Sequence, residues 1–217
     1  MEISIVIPAR NEAAKIGKVI EGIRAVSKNY QVIVVDDGSE DSTAEVAKSL
    51  GCDVFRLEKN MGKGFACRLG AEKAKNQNIV FIDADMQFYP DEIPRMAEGL
   101  KECDIAIGVR KAMEIPRIRR LSNAFARALV NSITGSKFRD ALCGFRAARR
   151  ASFRKLGLEK NRYEFEAEML IKAKRKGMRI CEVPVKVRYF DYPGMPLSQS
   201  LKLAWFIIRQ RSPLVRK

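Results

Sequence analysis

The sequence contains no histidine. This absence excludes imidazole metal ligands, Ser-His-Asp triads and histidine general bases, so any chemistry must use carboxylates, arginines, lysines, backbone groups or a bound metal. Cysteine is scarce, with five residues, no CxxC pair and an odd total. That spacing fits neither a disulfide framework nor a zinc site, and it favours reduced thiols in the cytosol.

Long hydrophobic runs are also missing. No segment approaches the ~18–20 consecutive apolar residues that a membrane-spanning helix needs. The first residues, MEISIVIPARNE, read as a strand followed by polar residues rather than as a signal peptide. We therefore expect a cytoplasmic chain that is soluble or lies on a membrane surface. At 217 residues and 47% hydrophobic composition, it is long enough for one well-buried α/β domain.

Positive charge is abundant but unevenly placed. The formal net charge is +15, which by itself favours nucleic acid or an anionic membrane as a partner. Residues 1–100 carry 13 Lys and Arg against 16 Asp and Glu, whereas residues 101–217 carry 28 against 10. The basic surface is therefore predicted to belong to the second half alone.

Short apolar runs alternate with helix-length segments over the first 110 residues. The predicted strands are ISIVIP, QVIVVDD, CDVFRL, NIVFIDAD and CDIAIGVR. This βαβ rhythm predicts a parallel sheet with helices on both faces. Beyond it we expect a helix over residues 121–133, a helix over RAARRASFRKL, a helix in YEFEAEMLIKAKRK and a strand in MRICEVPVKVRYF.

Three of the predicted strands end in polar clusters. These clusters are PARNE at residues 8–12, DDGS at residues 36–39 and DAD at residues 83–85. In an open parallel sheet, ligands bind at the carboxyl ends of the strands, so the three clusters are expected to converge on one crevice. An acidic crevice argues against nucleic acid as the ligand.

The DAD cluster carries the clearest chemistry. Alternation along an extended chain would point the carboxylates of Asp83 and Asp85 to the same side. With the amide of Gln87 they form an all-oxygen donor set, which suits Mg²⁺ or Mn²⁺ and not zinc. The alternative is a structural role, in which both aspartates cap a turn before the next helix.

Two further segments are candidates for ligand binding. Asp36 and Asp37 follow the second strand, where a carboxylate can accept hydrogen bonds from a base or a ribose. In NMGKGFACRLG, Lys63 stands between two glycines at the start of a predicted helix. Because neither GxGxxG nor GxxxxGK[ST] is present, we favour a structural loop over a phosphate cradle.

The last two helical segments have structural explanations as well as functional ones. Glu164 and Glu168 share one helix face and are predicted to be structural, with Lys172 as a partner. At the end of the chain, apolar residues recur at helical spacing beside Lys202, Arg209 and Arg211. These apolar residues are Leu197, Leu201, Ala204, Trp205 and Ile208. The pattern predicts a basic amphipathic helix at a membrane interface, with packing on the domain core as the alternative.

Taken in order, VIPARNE, VVDDGSEDST, NMGKGFACRLG, DADMQ, GVR, DALCGFRAARR, YEFEAEMLIKA and EVPVKV resemble the family 2 glycosyltransferases of the GT-A fold. More narrowly, they resemble the polyprenyl-phosphate (dolichyl-phosphate) mannose and glucose synthases, over residues 3–190. The resemblance implies one Rossmann-like α/β domain with a mostly parallel central sheet, over residues 1–195. It divides that domain into a nucleotide-sugar half at 1–109 and an acceptor half at 110–195, followed by the helix at 196–217.

The resemblance also implies roles for individual residues. Those implied to bind the donor are Pro8, Arg10, Glu12, Asp37, Lys63 and Asp83, and those implied to bind Mg²⁺ or Mn²⁺ are Asp83, Asp85 and Gln87. Arg110 and one of Arg119 or Arg120 are implied to meet phosphate. Asp85 and Arg110 are thus expected to be catalytic, and Asp140 is the base candidate for a hydroxyl acceptor.

The reaction implied is inverting transfer of a hexose from UDP-glucose or GDP-mannose to polyprenyl phosphate at the cytoplasmic face of a membrane. A phosphate acceptor is already anionic, so the reaction would need no histidine base. The motifs lean toward UDP-glucose, while UDP-linked N-acetylhexosamine stays open. Other possibilities are transfer to a sugar or lipid hydroxyl and nucleotide-sugar binding without turnover. A partner protein that anchors the chain to the membrane is a further possibility.

Overall fold

The computed structural model describes residues 2–111, 117–189 and 197–210, and within these ranges the chain forms one α/β domain. The strands are β1 (Ile3–Ala9), β2 (Gln31–Asp36), β3 (Asp53–Arg56), β4 (Asn78–Phe81), β5 (Ile105–Arg110), β6 (Arg146–Arg149) and β7 (Ile180–Val185). The helices are α1 (Ala13–Val26), α2 (Thr43–Ser49), α3 (Lys63–Lys73), α4 (Ile93–Gly99), α5 (Arg117–Thr134), α6 (Arg150–Leu156), α7 (Phe165–Arg175) and α8 (Leu197–Arg209).

The seven described strands form one sheet in the order β3-β2-β1-β4-β6-β5-β7. All pairs are parallel except those made by β6, which runs antiparallel to β4 and β5. Alternate residues of β1 serve two cores: Ile5 and Ile7 pack in the cluster that contains Ile16 of α1, and Val6 packs in the cluster that contains Cys67 of α3. This two-sided burial explains why the strands read as continuous apolar runs, and it confirms the predicted fold class.

One predicted helix was partly wrong. The segment RAARRASFRKL begins as the strand β6, and its helix starts only at Arg150. Arg146, Ala147 and Ala148 are fully buried between two neighbouring strands. Pairing with two strands here overrides a composition that favours a helix.

Helix α8 packs on the domain through Leu203, Phe206 and Ile207, which are buried in the core. Its opposite side leaves Trp205 58% and Ile208 50% exposed. The predicted amphipathic helix thus uses a different apolar face for packing and keeps part of the predicted one in solvent. In the ranges described, no helix is long and apolar enough to cross a membrane. The predicted boundary at residues 195 and 196 lies outside the described residues.

Candidate functional site

Two neighbouring cavities open at the carboxyl edge of the sheet. The larger has a volume of about 510 Å³ and is lined by the ends of β1, β2 and β4, including Pro8, Arg10, Glu12, Asp37 and Asp83. The three polar clusters therefore converge, as the sheet topology predicts. The smaller, of about 170 Å³, is lined by Gln87, Arg110, Asn123, Glu166 and Leu203 among others. We call them the first and the second cavity.

Lys63, Asp83 and Asp85 line both cavities and so form the boundary between them. The strand β4 ends at Phe81, and the two aspartates lie beyond it, where the chain turns. The expectation that strand alternation aligns them was therefore wrong. The turn, in which Met86 has φ of 64°, brings the two carboxylates to the same boundary instead.

Asp85 is held by its own turn. Its Oδ1 accepts a hydrogen bond from the Gln87 backbone N–H at 3.0 Å, and its Oδ2 accepts one from Gln87 Nε2 at 2.7 Å. Burial, and then the charge of Asp83, raise the pKa of the Asp85 carboxyl to about 6. A carboxylate with a raised pKa beside a second carboxylate is a place where a cation is favourable.

Lys63 supplies one such cation from within the chain. Its Nζ lies 2.7 Å from Asp83 Oδ1 and 3.1 Å from Glu166 Oε1. Burial opposes the ammonium charge, and the charges of Asp83 and Glu166 outweigh it, so the pKa of Lys63 is raised well above its ordinary value. A Cβ on Gly144 would stand 2.6 Å from both Asp83 Oδ2 and Lys63 Nζ, so the bridge needs glycine there.

The glycines beside Lys63 have a structural role. Gly62 has φ of +100°, and a Cβ on it would meet the Asn161 carbonyl oxygen at 2.3 Å. A Cβ on Gly64 would meet the Lys160 carbonyl oxygen at 2.4 Å. Both glycines let the start of α3 dock on the loop before α7, which supports the structural-loop interpretation.

Three side chains at or beside the boundary have the chemistry of ligands for a divalent metal. Asp83, Asp85 and Gln87 offer carboxylate and amide oxygens, the donors that Mg²⁺ and Mn²⁺ accept. Within the described ranges, no group of three or more His, Cys, Asp or Glu side chains is arranged to hold a metal by itself. Two carboxylates with substrate phosphates would complete such a site, and of the two, Asp85 is the one for which the described part of the chain shows no ion pair with a lysine or arginine.

Arg110 and Asp140 form a bidentate pair at the second cavity. Arg110 Nε donates to Asp140 Oδ2 at 2.7 Å, and Nη2 donates to Oδ1 at 3.0 Å. Burial opposes the guanidinium charge, and the bonds to Asp140 outweigh it and raise the pKa of Arg110. Asp140 also accepts from the Leu142 N–H at 3.2 Å. The Asp140 carboxylate is therefore engaged as a partner of Arg110. This role is the alternative to that of a general base.

The other predicted phosphate ligands lie on α5. Arg119 and Arg120 fall in the first two turns of this helix, and the Arg120 side chain is exposed. The side chain of Arg119 lies outside the described residues. One turn further on, Ser122 and Asn123 line the second cavity. The helix therefore brings this arginine segment close to the second cavity.

The acids of the first cavity are held by both backbone and side-chain groups. Asp37 accepts hydrogen bonds from the backbone N–H groups of Met61 at 2.6 Å and Gly62 at 2.8 Å. Burial raises the pKa of Asp37, and these two N–H groups work against that rise. Glu12 pairs with Lys15 at 3.0 Å. Pro8 and Arg10 line the same cavity, and the Arg10 side chain is exposed.

The sequence did not single out Glu166, Arg146 or Tyr163. Glu166 is 5% exposed, and Arg146 is 1% exposed with its guanidinium bound to the carbonyls of Ala141, Cys143 and Glu166. Tyr163 lines both cavities. No local pattern marks these residues, and the partner of Glu166, Lys63, lies far away in the chain.

Glu168 confirms the structural interpretation of its helix. It accepts hydrogen bonds from the N–H groups of Glu159 and Lys160, and it pairs with Lys172 at 2.9 Å. Glu164 stands at the N-terminal boundary of α7 and makes no side-chain capping bond.

Similarity to known proteins agrees with this geometry. The chain is 32% identical to an uncharacterized protein of Methanocaldococcus jannaschii, over 97% of this chain and 92% of that one. It is 31% identical to a dolichyl-phosphate beta-glucosyltransferase of Drosophila melanogaster, over 88% of this chain and 68% of that one.

Among solved structures, the glucosyl-3-phosphoglycerate synthase of Mycobacterium tuberculosis, crystallised with Mn²⁺ and UDP, superposes with a TM-score of 0.78. It is 25% identical, and the match covers 96% of this chain and 78% of that one. The sequence profile described as Glycosyl transferase family 2 matches residues 4–157. The chain therefore belongs to glycosyl transferase family 2, and it is a glycosyltransferase of the GT-A fold.

Proposed function

We propose that this enzyme transfers a hexose, with inversion, from a nucleoside-diphosphate sugar to polyprenyl phosphate in a reaction that depends on a divalent metal. The observation that carries the proposal is that the two cavities meet at Lys63, Asp83 and Asp85. A donor in the first cavity and an acceptor in the second would face each other at this boundary. Most residues that line the first cavity come from the expected nucleotide-sugar half at 1–109, whereas residues from both expected halves line the second.

The first cavity suits the nucleotide. Pro8, Arg10, Glu12 and Asp37 surround it, and its volume of about 510 Å³ lies in the range of small-ligand sites. We propose UDP-glucose as the first donor to test and GDP-mannose as the second. The names of the two characterised proteins in the comparison, a glucosyltransferase and a glucosyl synthase crystallised with UDP, support this order.

Transfer breaks the bond between the anomeric carbon and the diphosphate, and negative charge grows on the leaving nucleotide. A bound Mg²⁺ or Mn²⁺ would stabilise that charge as a Lewis acid. Asp85, Asp83 and Gln87 would hold the metal at the boundary. Lys63 and Arg110 place two further positive charges beside the same point, where preorganised charge is most effective.

The acceptor side supports a phosphate nucleophile. Asp140 fixes Arg110 through Nε and Nη2, and this guanidinium, a group suited to phosphate oxygens, lines the second cavity with Ser122 and Asn123. A phosphate attacks as an anion and loses no proton. Asp140 then serves to hold Arg110 and has no base role.

The membrane location rests on α8. Leu203 reaches the second cavity, while Trp205 and Ile208 on the same helix are exposed. The Arg209 guanidinium lies 3.8 Å from the centroid of the Trp205 ring. Aromatic, aliphatic and basic groups together suit the anionic surface of a bilayer. We propose that the enzyme is peripheral at the cytoplasmic face, with the lipid head group reaching the second cavity along α8.

Incubation with Mn²⁺ or Mg²⁺, a polyprenyl phosphate in detergent, and labelled UDP-glucose, GDP-mannose or UDP-N-acetylglucosamine tests the proposal. Metal-dependent label in the organic phase from one donor identifies the reaction and the sugar. A parallel sample with 3-phosphoglycerate as acceptor tests a second candidate, because solved structures of the similar synthase contain phosphoglyceric acid. Label that appears only in that aqueous product would contradict the lipid acceptor. Nucleotide binding with no product in any sample would indicate a binding protein without turnover.

A further inference from the structure

Glu166 is a buried carboxylate to which the proposed reaction gives no task. It is 5% exposed, lies in the first turn of α7 and lines the second cavity. Its carboxylate points to Lys63, with Oε1 3.1 Å from Nζ. Asp83 Oδ1 lies 2.7 Å from the same ammonium. Burying a carboxylate is unfavourable unless it is paired, and the partner of Glu166 is a boundary residue outside its own helix.

We propose that Glu166 is a positioning residue of the transfer reaction: with Asp83, it fixes the Lys63 ammonium at the boundary, facing the donor diphosphate and the acceptor phosphate. This inference rests on the proposed function. Lysine is a flexible point charge, so a single carboxylate would leave its ammonium free to swing about that partner. Two carboxylates from different segments, the turn after β4 and the first turn of α7, define one place for it.

The surroundings of the bridge are rigid. The Arg146 guanidinium donates to the Glu166 carbonyl at 2.8 Å and fixes the first turn of α7. The Gly64 N–H donates to the Asn161 carbonyl at 2.7 Å, which ties the start of α3 to the loop before α7. Gly144 closes the remaining side, since even a methyl group there would touch both partners. The ammonium is therefore held by backbone that is itself anchored.

The charges around the bridge of Lys63 with Asp83 and Glu166 indicate its role. Asp83, Asp85 and Glu166 place three carboxylates at a point where phosphates must arrive, and Lys63 offsets one of those charges. If Glu166 did not hold the lysine, the ammonium could turn into the Asp83 and Asp85 pair and compete with the metal. Glu166 thus keeps Lys63 available to phosphate and Asp85 available to a cation.

A double-mutant cycle tests the inference, with Lys63→Met, Glu166→Gln and the combined variant. Affinities for UDP and for GDP in Mn²⁺ are measured by calorimetry, together with kcat, KM and Tm. We expect Glu166→Gln to lower kcat by about 10- to 100-fold, because misplacing a reacting group by about 1 Å has effects of that size. In the Lys63→Met background, Glu166→Gln should have no further effect on kcat or on nucleotide affinity.

The matched control is Glu164→Gln, the same change two residues earlier at a side chain without a capping bond. It should leave kcat, nucleotide affinity and Tm unchanged. Equal effects of Glu166→Gln with and without Lys63, or a fall in Tm alone, would overturn the inference while the proposed function stands. A wild-type protein that binds neither UDP nor GDP would overturn both.

Discussion

The two cavities differ in how the chain builds them. In the first, the buried carboxylate of Asp37 is held by the backbone N–H groups of Met61 and Gly62. In the second, charged side chains hold one another, as in the Arg110 and Asp140 pair and the Lys63 and Glu166 pair. Backbone donors cannot rotate away, whereas an ion pair fails when one partner is removed. We therefore expect substitutions at the boundary and second cavity to affect the reaction most.

The largest effect is expected from Asp85→Asn, since Asp85 lines both cavities. Removing this carboxylate should lower metal-dependent transfer by about 1,000-fold, the size of effect seen when preorganised charge stabilisation is lost. The measurement is labelled sugar in the organic phase. Asp91→Asn, which changes an exposed carboxylate on the same segment, should retain full transfer. Equal losses in the two variants would argue against a role of Asp85 at the boundary.

Gly144→Ala should rank second. The added methyl group would stand 2.6 Å from both ends of the Lys63 and Asp83 pair, so that pair must move. A shift of this kind is expected to lower kcat by about 100-fold. Gly17→Ala is the control, because its Cβ would lie 3.6 Å from Val46 Cγ1, an ordinary contact. That substitution in mid-helix should keep kcat and add about 0.5–1 kcal/mol to the free energy of unfolding.

Asp140→Asn separates an arginine partner from a general base. As a partner, its loss should lower kcat by about 10-fold, and the free energy of unfolding should fall by about 2–3 kcal/mol because Arg110 is largely buried. Loss of a general base would instead cost about 100- to 10,000-fold in kcat. Urea unfolding and the pH profile of kcat decide between them. If one limb of the pH profile of kcat disappears in the variant, the result would favour Asp140 as a general base and a hydroxyl acceptor.

The pKa of Asp85 predicts a pH effect on the metal-free protein. It is raised from 3.8 in the unfolded chain to about 6 in the fold. The folded state holds this proton more tightly, so the stability it contributes at low pH is lost as the pH rises through about 6. Relative to Asp85→Asn, the wild type should lose about 2 kcal/mol of unfolding free energy between about pH 4 and about pH 7.

Urea unfolding with chelator at each pH provides the measurement, and adding Mn²⁺ above about pH 6 should restore stability as the metal replaces the proton. Parallel pH curves for the wild type and Asp85→Asn would contradict the raised pKa.

The smallest effect is expected at α8. Trp205 is 58% exposed, so Trp205→Ala should leave Tm nearly unchanged. Its affinity for vesicles that contain phosphatidylglycerol should fall roughly fivefold, because less apolar area enters the interface. Sedimentation with these vesicles is the assay, and pure phosphatidylcholine vesicles are the control for charge. Unchanged sedimentation of the variant would place the membrane contact elsewhere.

The sequence predicted one half of the fold better than the other. The first five strands follow from apolar runs with polar ends, and the structure confirms all five. The strand β6 was missed because its buried arginine and alanines have the composition of a helix. Likewise, Asp83 and Asp85 stand out as a pair in the sequence. Glu166 does not, since its partner Lys63 is about a hundred residues away and nothing local records the contact.

The sequence by itself determined the family, the parallel sheet, the convergence of three polar strand ends, and the absence of histidine chemistry. These features follow from local patterns. Strands of a sheet that is buried on both faces must be continuous apolar runs, and parallel strands place their carboxyl ends at one edge. Tertiary structure alone decided that Lys63 bridges Asp83 to Glu166, that Asp140 holds Arg110, and which face of α8 meets solvent. The physical reason is that a charged side chain at the boundary pairs with the charged group that lies next to it in the fold. That group belongs to a residue distant in the chain.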